Sequence, residues 1–510
     1  MTDFPWLTTL GAIPLVGSAV VAAMPRHRSL LAKQVALGFS LVTLAVVVVL
    51  ALRFDATSTK QFQFAETHEW IPQFGVSYAV GVDGIALVLV ALAAVLTPIC
   101  ILASWHDAGE GRRGVRIYFA LLLALETMMI GVFVATDVFL FYVFFEAMLI
   151  PMYFIIGSYG GPQRSYAAVK FLLYSLFGGL LMLAAVIGLF VVSDGGAQAF
   201  LFENLQVMHI TQTTERLLFL GFFVAFAIKA PLWPVHTWLP DAAAEAPPGG
   251  AVLLVGVMDK VGTFGMIRLC LPLFPDASKW AAPVVITLAV IGILYGALLA
   301  IGQTDIKRLI AYTSISHFGF ITLGIFAMTT TGQAGSTLYM FNHGFSTAAL
   351  FLIAGFMISR RGSRRIADYG GVQRVAPVLA GTFLVAGLSS LALPGLSSFI
   401  SEFLVLVGTF QRYQVAAVLA TLGIILASVY ILLMYQRTMT GEPPESTAGW
   451  RDLSARETWV VAPLIAVIIA LGFFPKPVLD IINPSVQRTV KQVGVTDPKP
   501  VVPAAEGTNK

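Results

Sequence analysis

The sequence predicts an all-α integral membrane protein with about fourteen transmembrane helices, and three observations support this fold class. The 510 residues are 57% hydrophobic and only 11% charged, whereas soluble globular chains carry about 25% charged residues. The apolar residues form long runs along the whole chain, and the basic residues gather in the short loops between these runs. The length of the chain therefore indicates a number of spanning helices rather than a number of soluble domains.

A hydrocarbon core about 30 Å thick requires roughly 20 apolar residues in each spanning helix. The predicted spans cover residues 6–24, 33–53, 83–105, 115–134, 136–157, 166–193, 216–238, 249–272, 282–303, 305–328, 334–358, 376–409, 415–436 and 457–474. The first run is followed, not preceded, by basic residues (Arg26 and Arg28), so we expect a retained helix rather than a secretory signal. The tail after about residue 475 is proline-rich and mixed in charge. We expect it to be mobile, without a long amphipathic helix.

The distribution of basic residues predicts the orientation of these helices. With both termini outside, the inner loops contain eighteen Lys and Arg residues, Arg112 and Arg113 among them, and the outer loops contain six. Cytoplasmic loops of membrane proteins are enriched in Lys and Arg. Splitting the long run 376–409 into two spans would reverse the last loops, so we interpret it as one interrupted span.

The same sequence argues against a redox or nucleotide-driven protein. Its two cysteines, Cys100 and Cys270, lie far apart in apolar runs and form no metal-binding or disulfide pattern. No glycine-rich dinucleotide or P-loop motif is evident. We therefore expect no cofactor and no metal on this chain.

Seven titratable residues lie near the middle of predicted spans. A charge at a helix centre costs about 2.5–3.5 kcal/mol on insertion scales, so such residues are usually functional. Buried acids and bases titrate closer to physiological pH than exposed ones, and a series of them predicts a proton path with electrostatic gates. The seven residues are Glu126, Glu146, Lys229, Lys260, His317, His343 and Glu402.

Each of these residues also has a structural interpretation. Glu146 and Lys229 could form a fixed ion pair, and Glu126 could be a structural carboxylate. A single histidine in a helix is more often a packing residue than a relay, although His317 and His343 have hydroxyls or small residues around them. The role of Asp259, next to Lys260, stays open because neighbouring helical residues point about 100° apart.

Two of the predicted spans are interrupted beside a titratable residue. Lys229 begins the sequence KAPLWP, and Glu402 follows ALPGLSSFIS, which carries Pro394 and Gly395. Proline removes a backbone hydrogen bond from a helix, and interrupted helices at corresponding positions of two halves are typical of inverted-repeat transporters. We therefore predict three N-terminal helices (1–114), two inverted five-helix repeats (115–272 and 282–436), and a last helix with its tail (437–510).

Five long motifs resemble the antiporter-like proton-translocating subunits of respiratory complex I. They are FYVFFEAMLIPMYFIIG (141–157), AFAIKAPLWPVHTWLPDAAAEAP (225–247), LLVGVMDKVGTFGMIR (253–268), DIKRLIAYTSISHFG (305–319) and HGFSTAALFLIAG (343–355). The similarity covers predicted spans 3 to 14. It implies the fourteen-helix fold of that family and a multi-pass protein of the bacterial plasma membrane.

The resemblance also implies roles for the titratable residues. Glu146 and Lys229 would be the interacting pair of the first half-channel, and Lys260 would be the central relay. His317 and His343 would continue the central axis to Glu402 in the second interrupted helix. Glu126 would be an accessory carboxylate. Asp259 is not among the residues that the resemblance explains.

The chain resembles the subunit M branch of the family in two features, a glutamate at position 402 and the lack of a long lateral helix. The implied partners are other complex I membrane subunits, notably the antiporter-like subunits L and N, and membrane lipids. FMN, iron–sulfur clusters and quinone would bind to partner subunits. A subunit of an Mrp-type Na⁺/H⁺ antiporter or of a membrane-bound hydrogenase is the nearest alternative; a solute permease and a structural scaffold are more distant ones.

Overall fold

The computed structural model describes residues 4–107, 114–193, 196, 198–447 and 449–499, and the described chain is mostly helical. Arg112 and Arg113 lie outside the described residues. The helices are α1 (Trp6–Ala23), α2 (Ser29–Arg53), α3 (Gly84–Ala103), α4 (Gly114–Val134), α5 (Val138–Ala147), α6 (Leu149–Tyr159), α7 (Arg164–Val192), α8 (Phe202–Leu205), α9 (Gln212–Lys229), α10 (Trp238–Glu245), α11 (Pro248–Leu253), α12 (Lys260–Gly265), α13 (Leu271–Leu273), α14 (Pro275–Ile301), α15 (Ile306–Phe326), α16 (Thr330–Arg361), α17 (Val372–Val375), α18 (Pro377–Ser390), α19 (Ser397–Phe410), α20 (Gln414–Met439), α21 (Ala455–Phe473) and α22 (Lys476–Val493).

Twelve helices or continuous helical stretches within the described residues are long and apolar enough to cross a membrane. They correspond to twelve of the predicted spans. The other two predicted spans, 216–238 and 376–409, are interrupted: α9 is followed by the short α10, and α18 by α19. The all-α membrane fold class is confirmed, while the count of fourteen spans stays a prediction.

Side-chain caps explain where several of these helices begin. Asp83 accepts a hydrogen bond from the Ala86 amide at the start of α3, and Asp305 accepts from the Lys307 amide at the start of α15. Ser454 and Glu457 form a reciprocal capping box at the start of α21. Such caps satisfy backbone amides that have no partner within the helix.

The helices form a bundle with a buried centre. The most apolar window of the stretch Pro248–Leu273 is fully buried, and α15 and α16 are almost as enclosed. In the N-terminal helices α1 and α2, by contrast, fewer than a third of the residues in that window are buried. The predicted central residues therefore lie on the most enclosed helices of the chain.

The contacts between helix ends agree with the predicted alternation of the loops. Arg456, at the start of α21, donates to the Ala103 carbonyl at the end of α3, and Arg360 pairs with Glu457. These residues lie on the side predicted to be inner. On the opposite side, Arg488 donates to the Gln61 carbonyl.

An antiparallel hairpin, absent from the sequence interpretation, joins α2 to α3. Its strands are β1 (Gln63–Ile71) and β2 (Val76–Val82), with Glu66 paired with Val80 and His68 with Tyr78. The Glu66 carboxylate accepts from the Leu7 amide at 2.7 Å. The hairpin thus contacts the start of α1.

The expectation that the tail lacks an amphipathic helix was wrong, while residues 500–510 of that tail lie outside the described residues. Helix α22 runs over Lys476–Val493 and buries one face, formed by Ile482, Val486, Val490 and Val493. The spacing of these four residues is that of a helical stripe, which the two prolines of the segment obscured. Ser485 accepts a hydrogen bond from the Gly84 amide at 3.1 Å and so joins α22 to the start of α3.

Candidate functional site

The first interrupted helix places an unpaired lysine inside the protein. Helix α9 ends at Lys229, which is 1% exposed. Its Nζ has no hydrogen-bond partner in the described part of the chain and lies 4.7 Å from the centre of the Phe145 ring. The break leaves the Ile228 carbonyl without a partner inside the helix. The indole N–H of Trp238 donates to this carbonyl at 2.9 Å.

Glu146 lies against a glycine of the neighbouring helix α7. A Cβ atom at Gly179 would stand 1.9 Å from the Glu146 Oε1 atom, so a larger residue there would displace the carboxylate from its present position. Glu146 and Lys229 interact electrostatically. Among the described residues, however, they form no ion pair within 4.0 Å, and Glu146 Oε1 has no hydrogen-bond partner. The fixed ion pair, one of the two sequence interpretations, is not formed.

Glu126, the predicted accessory carboxylate, lies on α4 and is fully buried. Thr97 of α3 is its polar neighbour, but the Thr97 hydroxyl donates to the Ala93 carbonyl at 2.9 Å. Neither Glu126 oxygen has a hydrogen-bond partner among the described residues. Within the described chain it therefore has no ion pair, and no hydrogen bond joins it to the central histidines.

Lys260 lies in a helix distorted by two π-helical turns, Leu254–Met258 and Met266–Cys270. The first turn leaves the Val255 carbonyl free to accept from Lys260 Nζ at 2.6 Å. The same Nζ lies 2.7 Å from Nδ1 of His343 on α16. π-Helical turns are frequent at functional sites, and here the turn orients the lysine toward the histidine.

The two histidines continue the series from Lys260. His343 Nε2 lies 3.0 Å from the Thr347 hydroxyl, and the His343 and His317 rings are 5.2 Å apart. His317 Nδ1 lies 2.6 Å from the Tyr339 hydroxyl, and its Nε2 lies 3.1 Å from the Ser390 hydroxyl. Each ring thus has a polar partner on both nitrogens, which suits a group that gives and takes protons.

The second interrupted helix surrounds the end of this series with hydroxyls. Ser390 ends α18, and Glu402 on α19 is 3% exposed. Glu402 interacts electrostatically with Tyr339 and Tyr430. A hydroxyl cluster fills the break: the Ser346 hydroxyl lies 2.8 Å from that of Ser389, 3.3 Å separate the Ser389 and Ser397 hydroxyls, and Ser346 and Ser398 are also 3.3 Å apart.

The structure therefore brings Lys260, His343 and His317 into one polar series, with Glu402 beyond it. It places Glu146 and Lys229 together in a separate group. The sequence interpretation missed Tyr339 and Ser390. Tyr339 precedes His343 by four residues, so the i, i+4 spacing on one helix face was a usable signal.

Ion pairs hold the second half of the first interrupted helix in place. Asp241 of α10 pairs with Lys170 of α7 at 2.7 Å and also with Arg308 of α15. Glu245, at the end of α10, pairs with Arg364 at 2.9 Å. The two carboxylates are largely buried, so removing their basic partners would leave an uncompensated buried charge. The described residues include no cluster of three His, Cys, Asp or Glu side chains able to hold a metal ion.

Comparison with known proteins gives consistent results over the whole chain. The family model described as NADH:quinone oxidoreductase/Mrp antiporter, TM, matches residues 135–427. NADH-quinone oxidoreductase subunit M of Mycobacterium tuberculosis is 55% identical, over 98% of this chain and 97% of the relative. The protein of the same name from Rhodobacter capsulatus is 41% identical, over 95% of this chain and 96% of the relative.

Solved structures agree with these matches. A chain of respiratory complex I from Thermus thermophilus with bound NADH superposes with a TM-score of 0.87 at 32% identity, covering 96% of this chain and 100% of that one. A chain of the Mrp complex from Dietzia sp. superposes with a TM-score of 0.86 at 21% identity, covering 97% and 100%. At that identity the second match indicates a shared fold alone.

Proposed function

Because the chain belongs to the subunit M family of NADH:quinone oxidoreductase, we propose that it is a proton-translocating antiporter-like subunit of that enzyme. Electron transfer would take place on partner subunits, with FMN, iron–sulfur clusters and quinone bound there. The described part of this chain offers buried acids and bases in series instead.

The observation that carries the proposal is the hydrogen-bonded series at the centre of the bundle. Lys260 Nζ and His343 Nδ1 are 2.7 Å apart, and the tilted His317 ring follows with its centre 5.2 Å from that of His343. A proton transferred from one of these groups to its neighbour changes the charge of both, and so changes the electrostatic field at the next group in the series. Glu402, which interacts electrostatically with Tyr339 and Tyr430, would release the proton from the far end.

The unpaired Lys229 and Glu146 supply a gate for this series. Their electrostatic interaction depends on a separation that no hydrogen bond fixes. Moving one charge against 100 mV requires about 2.3 kcal/mol, and a one-unit change in pKa corresponds to about 1.4 kcal/mol. Changes of a few pKa units, which the approach or separation of opposite charges produces, are therefore large enough to drive the transfer.

The same family membership supports the wider assignment. Other complex I subunits are the partners of the chain, and we propose the antiporter-like subunits L and N, with membrane lipids, as its neighbours. We further propose two inverted repeats at 115–272 and 282–436, and a bacterial plasma-membrane protein with both termini outside. The two interrupted helices, each beside a titratable residue, favour that repeat.

Proton uptake by inverted membrane vesicles tests the proposed function. In vesicles energised with NADH, Lys229→Ala should abolish proton uptake and NADH-dependent quinone reduction while the complex remains assembled. Lys279→Ala is the control, because Lys279 is partly exposed and its ion pair is with the exposed Asp276. Unchanged NADH-driven uptake with loss of sodium-dependent proton exchange would instead identify an Mrp-type antiporter.

A further inference from the structure

Asp259 is a buried carboxylate that the series described above does not use. The residue is 0% exposed, and neither of its oxygens has a hydrogen-bond partner in the described chain. Buried carboxylates are normally paired or hydrogen-bonded. A carboxylate that is neither must bind a proton or interact with charges at a distance.

The direction of Asp259 follows from the residue one turn later on the same face, Gly262. A Cβ atom at Gly262 would lie 2.5 Å from the Phe226 carbonyl oxygen and 2.6 Å from the Ala230 amide nitrogen. This face of the helix therefore packs directly against the end of α9, where Lys229 lies. Lys260, the next residue in sequence, points instead to His343 on α16.

Asp259 thus stands between the two buried lysines. It interacts electrostatically with both Lys260 and Lys229. Among the described residues Lys229 has no hydrogen-bond partner, whereas Lys260 is bonded to a carbonyl and a histidine. Lys229 ends α9, whereas Lys260 begins α12. The Asp259 side of the helix faces α9, and Asp259 directly precedes Lys260 in the sequence.

We propose that Asp259 carries the proton between Lys229 and Lys260, which joins the first half-channel to the central series. The Lys229 ammonium gives one proton to the Asp259 carboxylate, leaving a neutral amine and a carboxylic acid. The acid then gives that proton to the neutral amine of Lys260, which regenerates the carboxylate. Each step breaks one N–H or O–H bond and forms one. The inference rests on the proposed function and adds a residue to it.

Two substitutions separate proton carrying from a packing role. Asp259→Asn keeps the size of the side chain but removes the titratable group, and Asp259→Glu keeps that group. We expect Asp259→Asn to lower NADH-driven proton uptake by roughly a hundredfold, the contribution typical of a proton-transferring side chain, and Asp259→Glu to restore a substantial part. Asp276→Asn is the control, since it removes an exposed carboxylate of α14. Full uptake by assembled Asp259→Asn would overturn the proposal.

A fixed countercharge would give the same losses, so a second measurement is needed. Infrared difference spectra of the whole complex during turnover report the carbonyl stretch of protonated carboxylic acids, which shifts in D₂O. We expect one such band to be absent in Asp259→Asn and shifted in Asp259→Glu. Identical bands in wild type and Asp259→Asn would show that Asp259 does not change its protonation during turnover, and would overturn proton carrying.

Different results would overturn the role of Asp259 and the proton-pumping function of the chain. If Lys229→Ala abolishes NADH-driven uptake but Asp259→Asn does not, the chain is a pump and its proton bypasses Asp259. If neither change affects uptake by the assembled complex, the proposed function itself is wrong.

Discussion

The two interrupted helices each present a titratable residue beside a break, but their surroundings differ. Residues 230–237, between α9 and α10, contain one hydroxyl side chain, that of Thr237, which bonds to the Tyr174 hydroxyl. Lys229 Nζ faces the ring of Phe145 and has no hydrogen-bond partner in the described chain. The helix ends around the second break, residues 389–398, contain four serines, which bond to one another, to α16 and to His317. The first site is apolar and unpaired, and the second is lined by exchangeable hydroxyls.

This difference assigns the two breaks different tasks. The electrostatic energy of a charge in an apolar site depends strongly on its distance from the nearest opposite charge, because little else screens the interaction. Such a site suits a gate that responds to a small movement of Glu146. Hydroxyls can donate and accept in turn, so the second break suits conduction. The comparison predicts that a substitution at the first break reduces proton uptake strongly, and that a single substitution at the second break reduces it only weakly.

The largest effect should come from the glycine under the gate carboxylate. Gly179→Val places atoms where the Glu146 carboxylate lies and must displace it, which changes its distance from Lys229. Because a displacement of about 1 Å can reduce activity a hundredfold, we expect a comparable loss of NADH-driven proton uptake. The measurement is uptake by inverted vesicles at equal content of assembled complex.

Gly38→Val is the matched control for this substitution. A Cβ atom at Gly38, in the middle of α2, meets no atom within 4 Å, so the control tests the effect of valine in a spanning helix. If Gly179→Val leaves uptake intact in the assembled complex, the position of Glu146 does not gate the transfer, and the distinction between the two breaks loses its main support.

The fold was predictable because apolar run length and loop charge report directly on membrane topology. The titratable residues were equally visible, since a charge in an apolar run has few structural explanations. Gly179 was not, because its role arises from the approach of Glu146 across two helices, and no local pattern encodes that distance. The hairpin β1–β2 and helix α22 were missed because charged and proline residues interrupt their short apolar stripes.

An intermediate effect is expected where the central series meets the second break. Tyr339→Phe removes the hydroxyl that lies 2.6 Å from His317 Nδ1 and leaves the ring in place. A hydrogen bond contributes about 0.5–1.5 kcal/mol net, so the rate of proton uptake should fall by up to about tenfold. Tyr118→Phe removes a similarly buried hydroxyl, bonded to Ser104 outside the path, and should leave the rate unchanged. Equal rates for the two variants would exclude Tyr339 from the transfer.

The smallest effect should come from a single serine of the second break. Ser389→Ala removes the hydroxyl that lies between those of Ser346 and Ser397. Ser346 still reaches Ser398 at 3.3 Å, and a water can occupy the freed space where polar groups remain to bind it. We therefore expect uptake to fall by less than about threefold, within the range of one ordinary hydrogen bond.

The double change Ser389→Ala with Ser398→Ala removes both alternatives and should reduce uptake by more than the product of the single effects. A single Ser389→Ala as damaging as Gly179→Val would mean that the second break is as finely positioned as the first, and that its hydroxyls form one fixed route rather than several interchangeable ones.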